Sequence, residues 1–157
     1  MKIALITGSA GLVGSAASEF FIKKKFKILG IDNDLRSILF GKQSSTNIQK
    51  KRLILKKNYQ HFNCDIRDHL KLEKIFKRYA KNIDLIIHSA AQPSHDWAYK
   101  DPMTDFDINA RSTLNLLNLT KKYCANSTFI FLSTNKVYGD TPNKIKLTEK
   151  LSRWDVN

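Results

Sequence analysis

Lys2-Ile-Ala-Leu-Ile-Thr-Gly8-Ser-Ala-Gly11-Leu-Val-Gly14 is the stretch whose reading decides the fold. A short apolar run leads into three glycines spaced three apart, and an amphipathic pattern follows. This order predicts a buried strand, a tight turn, and a helix whose first unpaired N–H groups face an anion. Glycine serves where the backbone takes positive φ, where it approaches a pyrophosphate, and where helix packs closely on strand. From composition alone, such a triplet arises by chance in about one chain of this length in twenty, so its flanks carry the weight. Asp32 closes the next apolar run, Lys27-Ile-Leu-Gly-Ile-Asp32, eighteen residues beyond Gly14. That is near the spacing of a carboxylate accepting from the ribose of a bound dinucleotide.

Outward from this unit the pattern alternates strand and helix. Leu12, Val13, Ala16, Ala17, Phe20 and Phe21 form a helical stripe, ended by Lys23-Lys24-Lys25. Residues 33–49 are polar and predict a loop with at most a short helix. A third strand is expected to end near Asn63-Cys64-Asp65. Asp68 is placed to cap a helix with Leu72, Ile75, Phe76 and Tyr79 on one face. Asp84-Leu-Ile-Ile-His88 is nearly all apolar, as a parallel strand buried on both faces should be. Asp101-Pro102 predicts a helix start, with Phe106, Ala110, Thr113, Leu114 and Leu117 facing inward. Ser127–Ser133 reads as a fifth strand, and the tail from Tyr138 has no clear period. The alternation predicts an α/β fold, a doubly wound parallel sheet of Rossmann type. Its ligand belongs at the carboxyl ends of the strands, between the first and the fourth.

The 157 residues suffice for one domain with a core; 42% are hydrophobic and 26% charged, as in soluble globular chains. No apolar run approaches the ~20 residues of a membrane helix, and nothing resembles a signal peptide. Cys64 and Cys124 match no metal-ligand spacing; free thiols in the cytoplasm are expected, and no metal site. The net charge of +13 is scattered over several faces, without interleaved stacking aromatics. It reads as a solvated lysine-rich surface able to draw in an anionic nucleotide, not as a nucleic-acid site.

Three further strings give a resemblance. They are Cys64-Asp65-Ile66-Arg67-Asp68, His88-Ser-Ala-Ala-Gln-Pro-Ser-His-Asp-Trp97 and Ser133-Thr-Asn-Lys-Val-Tyr-Gly-Asp140. With the glycine turn they resemble the extended short-chain dehydrogenase/reductase family of nucleotide-sugar epimerases and dehydratases. Gln92–Trp97 and Thr134–Gly139 resemble its branch that epimerises CDP-linked deoxysugars at C2, an activity tied to lipopolysaccharide O-antigen synthesis. The likeness spans the whole chain but only the N-terminal half of such an enzyme, and implies a homo-oligomer for the complete one.

The resemblance implies NAD as cofactor. Gly8, Gly11, Leu12 and Val13 would meet its pyrophosphate, and Asp32 its adenosine ribose, where a carboxylate repels the extra phosphate of NADP. Asn33 and Arg36 match positions beside that ribose, with Arg36 able to soften the preference. Asp65 and Ile66 would border the adenine; Ala90, Ala91, Gln92 and Ser133 would lie along the nicotinamide ribose. Asn109 matches a helix asparagine that shapes the site, and Ser112 stands where the family has glycine. Pro93, Ser94, His95, Asn135 and Lys136 would contact the sugar nucleotide. Thr134 matches the catalytic hydroxyl that bonds the sugar hydroxyl undergoing oxidation. Related dehydratases place an Asp-Glu pair after this threonine; Asn135-Lys136 cannot act as that acid, which argues for epimerisation.

None of the five tyrosines is followed by lysine four residues on, so the family's Tyr-x-x-x-Lys pair is missing. The chain as given is therefore expected to bind NAD without turnover, with an exposed sheet edge beyond the fifth strand. Another epimerase or reductase of the family, a free-standing NAD-binding module and a truncated product remain alternatives. Ser94-His95-Asp96 is set aside as a triad because adjacent residues do not converge. His88 is expected to be a core histidine, and Tyr138 a packing or pocket residue.

Overall fold

A computed structural model describes residues 1–157, apart from the side chains of Asn135 and Lys136. Five strands form one parallel sheet: β1 (Ile3–Thr7), β2 (Lys27–Ile31), β3 (Tyr59–Phe62), β4 (Ile83–His88) and β5 (Thr128–Phe131). Their order is β3-β2-β1-β4-β5, so the chain reverses direction across the sheet between β1 and β4. The expected switch point is there.

Alternation along β1 builds two cores. Ile3 and Leu5 face one side, with α4 (His69–Tyr79) and α7 (Ser112–Tyr123) packed on them. Ala4 and Ile6 face the other, against α1 (Leu12–Lys23) and α3 (Asn47–Ile54). The Asp68 carboxylate accepts from the Lys71 N–H, and Leu72, Ile75, Phe76 and Tyr79 are all buried, as the sequence predicts. Asp101 likewise caps the short helix Pro102–Phe106 by accepting from the Thr104 N–H.

Four expectations are corrected. In α1 the buried residues are Gly14 and Ser18, with Ala17 and Phe21 packed beside them. Leu12 is 90% exposed, and Val13 and Phe20 also face outward. Small residues let the helix backbone approach the sheet, while the large apolar side chains of its first turn sit at the mouth of a groove.

The second correction concerns the 102–123 helix. Residues Asp107–Arg111 form a π-helical turn in which the Ser112 N–H donates to the Asp107 carbonyl five residues back. The extra residue rephases the helix, so Ile108, Ser112, Leu116, Leu119 and Thr120 are buried. Phe106, Ala110, Leu114 and Leu117 are exposed.

Third, the polar segment 33–49 is structured, with α2 (Leu35–Phe40), a 3-10 turn (Lys42–Ser44) and the start of α3. Asp34, with φ 55°, organises it: its carboxylate accepts from Ser45 Oγ at 2.6 Å and from the Thr46 N–H at 2.7 Å. Burial works to raise the Asp34 carboxyl, but these bonds outweigh it and hold its pKa below the ordinary value. Fourth, the tail forms a small antiparallel hairpin, β6 (Leu147–Glu149) with β7 (Trp154–Val156), and Tyr138 is exposed, not packed.

Candidate active site

All the chemistry-bearing strings fall at the carboxyl ends of the strands. After β1, Gly8 turns the chain with φ 63°, and a Cβ there would lie 2.8 Å from the Ala90 backbone nitrogen. Gly14 is tighter still: a Cβ would lie 2.0 Å from the Gly8 carbonyl oxygen. These glycines therefore bring turn, helix and the segment after β4 into contact. The first turn of α1 has no acidic residue and no side-chain cap, so its N–H groups stay open to an anion.

A groove of about 360 Å³ runs past this turn. Its walls include Gly8, Gly11, Leu12, Val13, Asp32, Asn33, Arg36, Asp65, Ile66, Ala90, Ala91 and Ser133. Asp32 closes β2 and ties the two edges together, accepting from the Ala10 N–H at 3.0 Å and the Asp34 N–H at 2.8 Å. The Arg36 guanidinium lies over the Phe40 ring, 5.6 Å from its centroid. Asp65 accepts from Asn33 Nδ2 at 2.9 Å and pairs with Arg67 at 2.7 Å. Burial pushes the Asp65 carboxyl up, but the Arg67 and Asn33 bonds outweigh it, so it stays ionised.

A second cavity of about 420 Å³ shares Ala90, Ala91, Pro93, Leu132 and Ser133 with the first. Pro93, Ser94, His95, Ser133 and Thr134 line it. Gln92, expected along the nicotinamide ribose, and Asn109, expected to shape the site, line this second cavity. They are bonded to each other. Asn109 Oδ1 accepts from the Gln92 N–H at 2.9 Å, and its Nδ2 donates to the Gln92 carbonyl at 3.0 Å. The Gln92 amide is buried and bonds Asp105 and both backbone groups of Ser94. Both residues thus shape the loop. Ser94 Oγ accepts from the Trp97 N–H and caps the next helix, α5 (His95–Lys100), which leaves no triad geometry. Asn135 and Lys136 carry expectations on side chains outside the described residues.

His88 is a core residue, as expected, only 2% exposed. Its Nδ1 lies 2.7 Å from Thr7 Oγ1 and its Nε2 2.9 Å from Thr113 Oγ1. Thr113 in turn donates to the Asn109 carbonyl, so the end of β1 is linked to the Gln92 loop. Burial pushes the His88 pKa down to about 4. The Ser112 hydroxyl donates to the Asp107 carbonyl at 2.7 Å, so the residue that replaces glycine is accommodated within the π-helical turn.

Asp34, Thr46 and the Thr7–His88–Thr113 chain escaped the sequence reading. They lack a motif, although the polarity of Ser45-Thr46 beside the strand-end acid was a usable signal. A third depression of about 400 Å³ lies near Arg67 and Arg111, whose charges are already paired with Asp65 and Asp107. Both cysteines are free and buried, and the described residues hold no cluster of metal-ligating side chains.

The family model described as GDP-mannose 4,6 dehydratase matches residues 5–153. The chain belongs to that family. Among family relatives, CDP-paratose 2-epimerase of Salmonella typhi is 32% identical over 154 residues, 98% of this chain and 42% of that protein. The UDP-Glc/GlcNAc 4-epimerase of Campylobacter jejuni superposes with TM-score 0.74 at 26% identity, over 89% of this chain and 39% of that one. UDP-glucose 4-epimerase of Bifidobacterium longum, solved with NAD+ and UDP, gives TM-score 0.71 at 25% identity, over 99% and 43%. The chain spans about two-fifths of the length of these relatives. Membership in the family agrees with the resemblance read from the sequence strings.

Proposed function

We propose that this chain forms the NAD-binding half of a nucleotide-sugar epimerase acting at C2 of a CDP-linked deoxysugar. The observation that carries the cofactor reading is the groove itself. One continuous wall joins the open helix N-terminus at Gly11 to the Asp32 carboxylate and to the Asp65-Ile66 edge. That sequence of donors, carboxylate and apolar edge fits a pyrophosphate, a ribose and an adenine in order. Gly11 to Val13 would donate backbone N–H groups to the pyrophosphate, and Asp32 would accept from the adenosine hydroxyls. Arg36, held against Phe40, leaves Asp32 to govern that end and favours NAD over NADP.

When bound, NAD supplies reversible hydride acceptance at a sugar carbon. This chain's own share is positional. Ala90 and Ala91 give the small surface along which the nicotinamide ribose lies. Thr134 would offer its hydroxyl to the sugar hydroxyl in the adjoining cavity, which Pro93, Ser94 and His95 also line. Asn135 and Lys136 supply no carboxylic acid for water loss, which favours epimerisation over dehydration. The acid–base tyrosine and its lysine belong to a lobe beyond these residues. A second copy of the protein is the partner we assign, with the exposed Phe106, Leu114 and Leu117 as its contact surface. Such an enzyme works in the cytoplasm, on sugars destined for lipopolysaccharide O-antigen.

The relative's activity supports the C2 reading, and a UDP-sugar 4-epimerase is the second reading, supported by the Campylobacter likeness. The test uses a polypeptide carrying this chain and the Tyr-x-x-x-Lys lobe, incubated with CDP-paratose or UDP-glucose. C2 inversion of the CDP sugar, followed by NMR, is expected. Turnover of UDP-glucose alone would transfer the protein to the second reading.

A further inference from the structure

Beneath the glycine turn lies a contact that no motif announces. Ser9, between Gly8 and Gly11, is fully buried, and its Oγ is 2.8 Å from the Tyr59 hydroxyl. Tyr59 begins β3, two strands away from the turn, and reaches it across β2. The path is open because β2 carries Gly30 there: a Cβ at Gly30 would lie 2.1 Å from the Tyr59 oxygen. The phenol is therefore lodged in the gap left by a missing side chain, which fixes its height under the turn. His61 stands beside it, with Nδ1 3.3 Å from the Tyr59 hydroxyl and its ring inclined 23° to the phenol at 6.3 Å between centroids. The Ser9 N–H also donates to the Ile31 carbonyl at 3.3 Å, so the turn is tied to the strand that ends at Asp32.

We propose that Tyr59 is a positioning residue for the phosphate cradle, holding the Gly8–Gly11 backbone at its height through Ser9 over the gap at Gly30. What the bond supplies is stiffness. Backbone donors bind an anion well only when their directions are set in advance, because ordering them on binding costs affinity. Gly8 and Gly11 lack side chains that could anchor the turn, and the first turn of α1 has no side-chain cap. The Ser9–Tyr59 bond supplies an anchor from β3, on the sheet face that α1 covers. Its effect on ligand rests on the cofactor reading above; its effect on the turn does not.

The test compares the 157-residue chain with Tyr59→Phe, Ser9→Ala and the double variant. Three measurements are made: amide hydrogen exchange at residues 9–14, and titrations with NAD+ and with adenosine. Loss of one buried hydrogen bond should speed exchange at those amides by about fivefold to tenfold and weaken NAD+ by a similar factor. Adenosine, which does not reach the turn, should bind as before. The double variant should be no worse than Tyr59→Phe, since Ser9→Ala then removes only a bond already lost. Unchanged exchange in both single variants, or equal weakening of NAD+ and adenosine, would overturn the proposal. If the wild-type chain binds no NAD+, the cofactor reading falls, and exchange alone still decides whether Tyr59 supports the turn. Should Tyr59→Phe fail to fold, Ser9→Ala keeps the ring over Gly30 and carries the same test.

Discussion

The two ends of the groove are built differently. At the glycine turn, backbone lies close against backbone, Gly14 on Gly8 and Gly8 on Ala90, and Asp32 accepts from the Ala10 N–H. At the far end, Phe131, Leu132, Ser133 and Thr134 are all exposed, and β5 is the edge of the sheet. The first end is complete within one strand–turn–helix unit and its neighbours. The second is a cavity lined by Thr134 beside the edge strand β5. The glycine-turn end is thus packed backbone on backbone, while the Thr134 end lies beside an exposed edge strand.

The largest effect expected from this difference is at Gly14. Gly14→Ala would drive a methyl group into the Gly8 carbonyl, cost about 3 kcal/mol of stability, and abolish measurable NAD+ binding. Chemical denaturation and calorimetric titration check both outcomes; a variant of native stability that binds NAD+ would dissolve the contrast between the two ends.

Between them stands His88. Its native pKa of about 4 lies below the ordinary 6.5, so between those values the unfolded chain takes up a proton that the native one does not. Stability contributed by neutral His88 is complete above about pH 6.5, falls by about 3 kcal/mol on the way to pH 4, and then levels off. Denaturation midpoints of the wild type and His88→Gln, compared from pH 7 to 4, should therefore converge. Parallel profiles would mean that the histidine is not buried uncharged.

A smaller effect is expected at Asn109. Asn109→Ala leaves the Gln92 N–H and carbonyl without their shared partner and should cost about 2 kcal/mol. The Gln92 loop would loosen, visible as faster amide exchange over residues 90–94, while NAD+ affinity drops by less than about threefold. The smallest effect belongs to Thr134. Thr134→Val should leave NAD+ affinity unchanged, because the cofactor is held at the other end. A loss of NAD+ affinity there would show that the two ends form one binding surface.

The same contrast explains what the sequence disclosed. β1, β4 and the Asp68 helix are legible because period and cap agree with burial at each residue. Leu12 and Val13 misled because an apolar residue that lines a ligand groove looks like one that fills a core. The 102–123 helix misled for another reason: Leu114 and Leu117 are as apolar as Leu116 and Leu119. Only the π-helical turn at Asp107–Arg111 decides which pair faces inward. Gln92 and Asn109 are bonded backbone to side chain across seventeen residues, a pairing that no local pattern encodes. Ser9 and Tyr59 are fifty residues apart, and their contact exists only because Gly30 lies between them.

The central claim is that the glycine turn and Asp32 together select NAD. Its most direct test is a pair of calorimetric titrations of the chain, with NAD+ and with NADP+. One-site binding of NAD+ is expected, with NADP+ at least about tenfold weaker, because Asp32 repels the added phosphate. Absence of NAD+ binding, or equal or tighter binding of NADP+, would contradict it.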